Sequence, residues 1–245
     1  MIAALVTGAV LAVRAGTVPE LWPTNTVSLA GNALTARLAD LDALAGSLPD
    51  KIKPAAQLQK IIFQINAGVA PSVWRADLQK LAAQAAEGDP LALGIRDVAR
   101  VWLARAQMKE IDAALVQYYT RRVKFPGTLA ELGDALPEQI RNDPWGEPWV
   151  YTMRPPRGLP KLTDQRYNLG PKKHPNLARQ KSLPVPVFTK LSLHQIGENK
   201  TLEFQWLGGT AVIQPGGVAA GATLLHIGEN WALLAAADRL FAVTF

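Results

Sequence analysis

The sequence predicts an α+β fold, with helices gathered toward the N-terminus and short strands toward the C-terminus. Three observations predict it. Apolar residues recur at helical spacing through most of residues 25–124. A turn built from Pro144, Gly146 and Pro148 then leads into a run of aromatic and β-branched residues. Past Leu183 the periodicity drops to roughly two, and short apolar runs are separated by Gly- and Asn-containing turns. The expected architecture has three parts: an N-terminal helical module over 25–90, a long helix packed on a small antiparallel sheet over 91–178, and a small all-β barrel or sandwich over 187–245.

The chain has 245 residues, enough for one large domain or two to three small ones. Its hydrophobic fraction of 49% is ordinary for a folded protein, so disorder is not the default. With no cysteine, disulfides and thiolate metal sites are excluded, while the compartment stays open. The net charge of +6 is uneven. Residues 150–190 hold nine Lys or Arg against the single acid Asp164, a net +8 that leaves −2 for everything else. Such a segment reads as a solvated loop or as a surface for nucleic acid, anionic lipid or an acidic partner.

Residues 1–13, M-I-A-A-L-V-T-G-A-V-L-A-V, are almost wholly apolar. As a helix they would reach about 20 Å, short of the roughly 30 Å bilayer core. Residues 1–15 therefore read as a signal-peptide h-region, the tail of a membrane anchor, or a buried helix. Residues 16–24, with Pro19 and Pro23, read as a linker. Three modest helices follow. The first starts near Asn25 or Thr26 and ends at Gly46; the second follows Pro54; the third opens at Pro71-Ser72 and stops at Gly88. A longer helix is expected from about Leu91 to Lys124, with Ile95, Val98, Trp102, Met108, Ile111, Leu115 and Tyr118 broadly on one face.

Pro126 cannot extend that helix, and it biases Phe125 to an extended backbone. Thr128 caps a short helix, with Glu131 at the capping-box position. Asp143 is placed to accept from backbone N–H groups two residues on, Pro144 presets the next φ, and Gly146 supplies the freedom the turn needs. Trp149 and Tyr151 share one face of a strand. The pair Trp145 and Trp149 reads as cover for the long helix, the competing reading being a ligand-stacking platform. The proline-rich stretch after Tyr151 reads as a loop before the strand Arg166–Leu169.

In the C-terminal part I-G-E-N occurs at 196–199 and again at 227–230, each copy between apolar runs. Each reads as a hairpin turn whose Gly and Asn tolerate positive φ. Five or six short strands are expected here.

The series A-L-x-x-Y-Y, F-P, D-P-W-G-E-P-W-V-Y and Y-N-L-G resembles the globular domain of the major pseudopilin of type II secretion. The matching positions are Ala114, Leu115, Tyr118, Tyr119, Phe125, Pro126, Asp143, Pro144, Trp145, Gly146, Pro148, Trp149, Tyr151, Tyr167 and Gly170. They span about a third of the chain. The resemblance implies a long helix roofed by a small sheet and a structural role in an envelope assembly. Members that bind calcium do so with an Asp- and Ser-rich loop after the L-G pair. Here Gly170 is followed by Pro171, Lys172, Lys173 and His174, and no calcium site is expected. That family's helix runs back into an apolar membrane segment, whereas the residues upstream of 91 here read as polar amphipathic helices. The later pattern G-x-x-L-x-x-I-x-x-x-W-A-L-L with F-x-V-x-F, from Gly221 to Phe245, resembles the small β domain of inner-membrane components of type II secretion and type IV pilus machines.

No sequence motif carries chemistry. There is no HExxH, no G-x-S-x-G elbow and no P-loop. His194 and His226 precede equivalent turns, and His174 is the third histidine. The expectation is a non-catalytic protein without cofactor or metal, periplasmic or anchored in the inner membrane facing the periplasm. Its partners would be other secretion or pilus-type envelope proteins. The alternative is a binding module for an anionic polymer or membrane surface through Arg154, Arg157, Lys161, Arg166, Lys172, Lys173, Arg179 and Lys181. Nucleic acid is not expected, because no basic stretch is interleaved with aromatics. A hydrolase with a non-local active site is the remaining reading.

Overall fold

The structure is a computed structural model and describes residues 18–23, 31–154, 166–177, 185–236 and 238–245. The segment 1–15, the caps Asn25 and Thr26, and most of the proline-rich loop lie outside the described residues. The helices are α1 (Gly31–Ser47), α2 (Lys53–Asn66), α3 (Pro71–Ala83) and α4 (Pro90–Arg122). The strands β1 (Val150–Arg154) and β2 (Arg166–Gly170) form a two-stranded antiparallel sheet. A three-stranded sheet contains β3 (Lys190–Ile196), β4 (Asn199–Trp206) and β5 (Gly209–Ile213). A four-stranded sheet contains β6 (Val218–Ala219), β7 (Ala222–Ile227), β8 (Trp231–Ala236) and β9 (Arg239–Thr244). All pairings are antiparallel, and the fold class is α+β with a C-terminal all-β part.

The organising element is α4. Asp89 has an extended backbone and its side chain accepts the Leu91 N–H at 2.9 Å, while Pro90 occupies the first turn, where no donor is needed. The helix stops at Val123, whose φ of 56° is left-handed and whose N–H donates to Tyr119 O at 2.7 Å. Its 33 residues span about 50 Å. No single small sheet covers that length, so α4 serves two cores.

The first core lies along the N-terminal half of α4. Leu91, Ile95, Val98, Ala99, Trp102 and Leu103 pack with α1–α3 and with Leu225, Trp231, Leu233, Leu240 and Ala242 of the four-stranded sheet. Gly94 permits the approach of β7, since a Cβ there would run into the Leu225 side chain. The other face of the same sheet, Leu224, Ile227, Ala232, Leu234 and Phe241, packs on Leu202 and Phe204 of the three-stranded sheet. The C-terminal strands thus form a sandwich whose inner sheet is buried on both faces under the helices. This explains why β8 reads W-A-L-L-A-A without polar alternation. The segments 25–90 and 187–245, read as separate modules, share one core.

Four local expectations are corrected. Residues 18–23 are not an open linker: Leu21 and Trp22 are fully buried. Trp22 stacks on Trp231 with ring centroids 5.7 Å apart, donates its indole N–H to Ala55 O at 3.3 Å, and accepts the Ala242 N–H at 2.9 Å. Helix α3 ends at Ala83 rather than Gly88, because Gln84 turns extended and its side chain donates to Ala92 O at 3.1 Å. Among the described residues the C-terminal part has seven strands rather than five or six, the two-residue β6 being hidden in a glycine-rich stretch. Both I-G-E-N copies make hairpins, but only the first uses positive φ, at Gly197 (62°). The second is a three-residue loop closed by Gly228 N–H to Trp231 O at 2.8 Å.

Candidate functional site

The matched series converges on the C-terminal half of α4. Val101, Ala104, Met108, Ile111, Ala114 and Leu115 form the second core with Leu132, Leu136, Ile140, Trp149, Leu169 and Leu177. The partly buried Tyr118, Phe125, Trp145, Tyr151 and Tyr167 pack around it. Two strands alone do not stabilise themselves, so β1–β2 depends on this apolar face.

Aromatic rings line one edge of the seam. Phe125 lies 4.7 Å from Tyr119 and 4.9 Å edge-on to Tyr167, which is 5.7 Å from Tyr151. Their polar ends are tied down. The Tyr151 hydroxyl donates to Pro126 O at 2.8 Å, and the Tyr167 hydroxyl donates to Asp112 Oδ1 at 2.9 Å. The Tyr118 hydroxyl donates to Glu131 Oε2 at 3.2 Å, and Glu131 Oε1 accepts the Thr128 N–H at 3.0 Å, opening the 3-10 helix Leu129–Ala135. Burial, then the negative charge of Glu131, pushes Tyr151 up to about 12. Burial, then Asp112, also raises Tyr167. Burial raises Asp112 itself, against the Tyr167 hydrogen bond. Both tyrosines stay neutral donors at physiological pH.

The turn is knotted through Asp143, which is 4% exposed. Its Oδ1 accepts the N–H groups of Trp145 (2.9 Å) and Glu147 (3.1 Å), and its Oδ2 accepts that of Lys172 (3.2 Å). Gly146, at φ 86°, donates to Asp143 O at 2.8 Å and closes the turn. Pro148 bridges to Asn142 across it. One carboxylate thereby joins the D-P-W-G turn to the loop after β2. Trp149 fills the seam and donates to Ile140 O at 2.9 Å. Gly170 is buried under Pro175, whose carbonyl leaves no room for a Cβ.

Trp145 stands at the other side of the turn. It lies 5.3 Å from His174 and under Lys173 Nζ at 5.7 Å, and its indole N–H is buried without a partner among the described residues. Lys173 reaches Asp97 on α4 (3.7 Å), and Lys172 reaches Glu147 (3.2 Å). Arg154 and Arg166 are exposed and face each other across the β1–β2 register. The four described members of the basic candidate set thus form two groups at opposite ends of the strand pair, and the Lys172–Lys173 group is paired with acids. Arg157, Lys161, Arg179 and Lys181 lie outside the described residues.

The contacts of three further groups had no signal in sequence. Asp112 is one of three acids in α4, with Asp97 and Glu110. Asp238, 3% exposed in the turn before β9, pairs with Arg105 at 2.7 Å, and its carbonyl accepts the Trp102 indole N–H at 2.6 Å. Trp22 is the third, hidden by flanking prolines. His194 sits on the exposed sheet face 3.0 Å from Glu203. His226 lines a cleft of about 430 Å³ with Leu48, Pro49, Ile52 and Trp231. An open groove of about 700 Å³ crosses α1–α3, where Lys53 and Lys60 are paired with Asp50 and Asp42.

Among the described residues no three His, Asp or Glu come together as a metal site, and no helix is long and apolar enough to cross a membrane. The Tyr167–Asp112, Tyr151–Pro126, Tyr118–Glu131 and Asp143–Lys172 contacts each join one structural element to another and clamp a turn, a loop and a strand pair onto α4. No protein-family model, curated protein sequence or solved structure matches the chain.

Proposed function

We propose that the chain is a non-catalytic component or relative of a type II secretion or type IV pilus-like envelope assembly, acting through protein–protein contacts. It would work on the periplasmic side of the inner membrane. The observation that supports this reading is the convergence of the whole matched series on one seam. Tyr118, Tyr119, Phe125, Pro126, Trp149, Tyr151 and Tyr167 meet there, and Asp143 ties the turn to the loop after β2. Residues far apart in sequence each do a separate physical job around the C-terminal half of α4.

The absence of cysteine makes the test clean. A single cysteine placed at an exposed position, such as Val116 or Val73, carries a photo-crosslinker in cells that make the protein. The expected adducts contain secretion or pilus-type inner-membrane components. Adducts confined to cytoplasmic proteins overturn the reading.

A second reading is favoured by one observation. Arg154 and Arg166 stand opposite each other on exposed strand positions, a like-charge pair that an anionic polymer would relieve. In that case binding to a polyanion weakens steeply with salt, and Arg154→Gln with Arg166→Gln lowers the salt slope by about two. A flat salt response removes it.

A further inference from the structure

The two sheets of the C-terminal sandwich treat their outer edges differently. The edge of β9 is covered: Trp22 O accepts the Ala242 N–H at 2.9 Å, and the buried Leu21–Trp22 segment lies beside it. The edge of β3 has no such cover among the described residues, where β3 pairs with β4 alone. An open edge strand is a template for another strand, and folds normally blunt it with proline, a bulge or inward charge. Over its seven residues, K-L-S-L-H-Q-I, β3 has no proline and its register with β4 runs unbroken from Lys190 to Ile196. Its only lysine is the first residue. Its last residue, Ile196 (84% exposed), and Val187, three residues before the strand (79%), are two of the most exposed large apolar residues.

The direction of its free groups follows from the turn. The two-residue loop Gly197-Glu198 makes Ile196 and Asn199 a hydrogen-bonded pair, so Ser192 and His194 also bond toward β4. The N–H and C=O groups of Leu191, Leu193 and Gln195 therefore point away from the sheet. Leu191 and Leu193 pack on the sandwich core, so the strand is held in place with these groups outward.

We propose that β3 is a self-association edge, on which a second copy of this chain pairs antiparallel about a two-fold axis through Leu193. That register sets Leu191 opposite the second copy's Gln195, Ser192 opposite its His194, and Lys190 opposite its Ile196. It engages all seven residues and sets no two like charges against each other. It offers about six new backbone hydrogen bonds and joins the two three-stranded sheets into one of six strands. A two-fold axis makes the contact self-closing, so it ends at a dimer rather than a fibre. A lone strand pair buries less than a standard interface, so the dimer is weak and concentration-dependent. The inference does not depend on the envelope reading, and either can fail without the other.

Sedimentation equilibrium of the full chain, from about 1 μM to about 1 mM, tests it. The expected mass rises from 26.4 kDa toward twice that value. Gln195→Pro removes an outward N–H without touching the β4 ladder and weakens the dimer about tenfold or more. Ile196→Lys sets lysine against Lys190 twice across the axis and also weakens it, while adding Lys190→Glu restores association. The exchange at 190 and 196 lies on exposed side chains and decides the matter even where the proline variant fails to fold. A monomer throughout the range overturns the proposal, and so does a dimer indifferent to both Gln195→Pro and Ile196→Lys.

Discussion

The two halves of α4 are covered in different ways. The N-terminal half is sealed by broad apolar layers: three helices on one side and a four-stranded sheet, itself backed by another sheet, on the other. The C-terminal half is roofed by two short strands and a turn, and its contacts are specific rather than extensive: Tyr167 to Asp112, Tyr151 to Pro126, Asp143 to three backbone N–H groups. Where area is ample, non-directional burial suffices. Where the cover is thin, hydrogen bonds to fixed partners set its position.

The harshest way to break the comparison is at the layered end. Trp22→Ala removes a fully buried indole stacked on Trp231 and is expected to cost about 3–5 kcal/mol. Urea unfolding measures it. Because α4 runs through both cores, the variant should still unfold in one transition. Two separated transitions would show that the halves fold independently.

That residue also shows what the sequence left illegible. Trp22 lies between Pro19 and Pro23, which locally read as a linker; its burial is decided by Ala242 and Trp231, more than 200 positions away. The sharing of one core by 25–90 and 187–245 is hidden for the same reason, and so is the Arg105–Asp238 pair. By contrast, the Asp143 turn, the course of α4 and both I-G-E-N hairpins were legible, because their signals are local. Proline, glycine and capping side chains act within four residues of themselves. Asp112 had no local signal, since its role depends on Tyr167, 55 positions on.

At the thinly covered end the corresponding break is Asp143→Ala. It leaves three backbone donors without their acceptor and is expected to cost about 3 kcal/mol. Asp143→Asn, which keeps one acceptor oxygen, should cost about 1 kcal/mol. Hydrogen exchange locates the damage. The N–H groups of 145, 147 and 172 should lose protection while those of β8 keep theirs. Equal loss in β8 would mean that the two ends are not separately held.

Smaller again is Tyr167→Phe, which removes one partly buried hydroxyl and is expected to cost about 1 kcal/mol. It also raises the Asp112 pKa further, since that hydroxyl favours the carboxylate. Titrating Asp112 by NMR in both proteins measures the shift. An unmoved Asp112 would mean that the hydrogen bond does not form in solution.

The finest distinction is between two groups, Asp112 of the roofed end and His226 of the layered end, in the sign of their acid response. Burial raises Asp112, so the folded state binds the proton more tightly than the unfolded chain does. Its contribution therefore improves as pH falls toward the ordinary carboxylate value of 3.8 and worsens as pH rises through the raised one. His226 runs the other way. Burial first, then Lys51 and Lys200, holds its imidazole down to about 4, against 6.5 unperturbed. Between those values the unfolded chain takes up a proton that the folded one refuses, so stability is lost as pH falls from 6.5 to 4. The layered end should therefore soften over this window; at the roofed end His174, which burial and then Lys173 also lower, softens the loop after β2 in the same direction, and Asp112 opposes that loss at β1 and β2. Exchange rates of β7 and β8 against those of β1 and β2, corrected for intrinsic pH dependence, measure the difference. His226→Asn should flatten the response of the first pair alone. A flat response of β7 and β8 already present with His226 in place would show that the imidazole is solvated and that its contrast with Asp112 is absent.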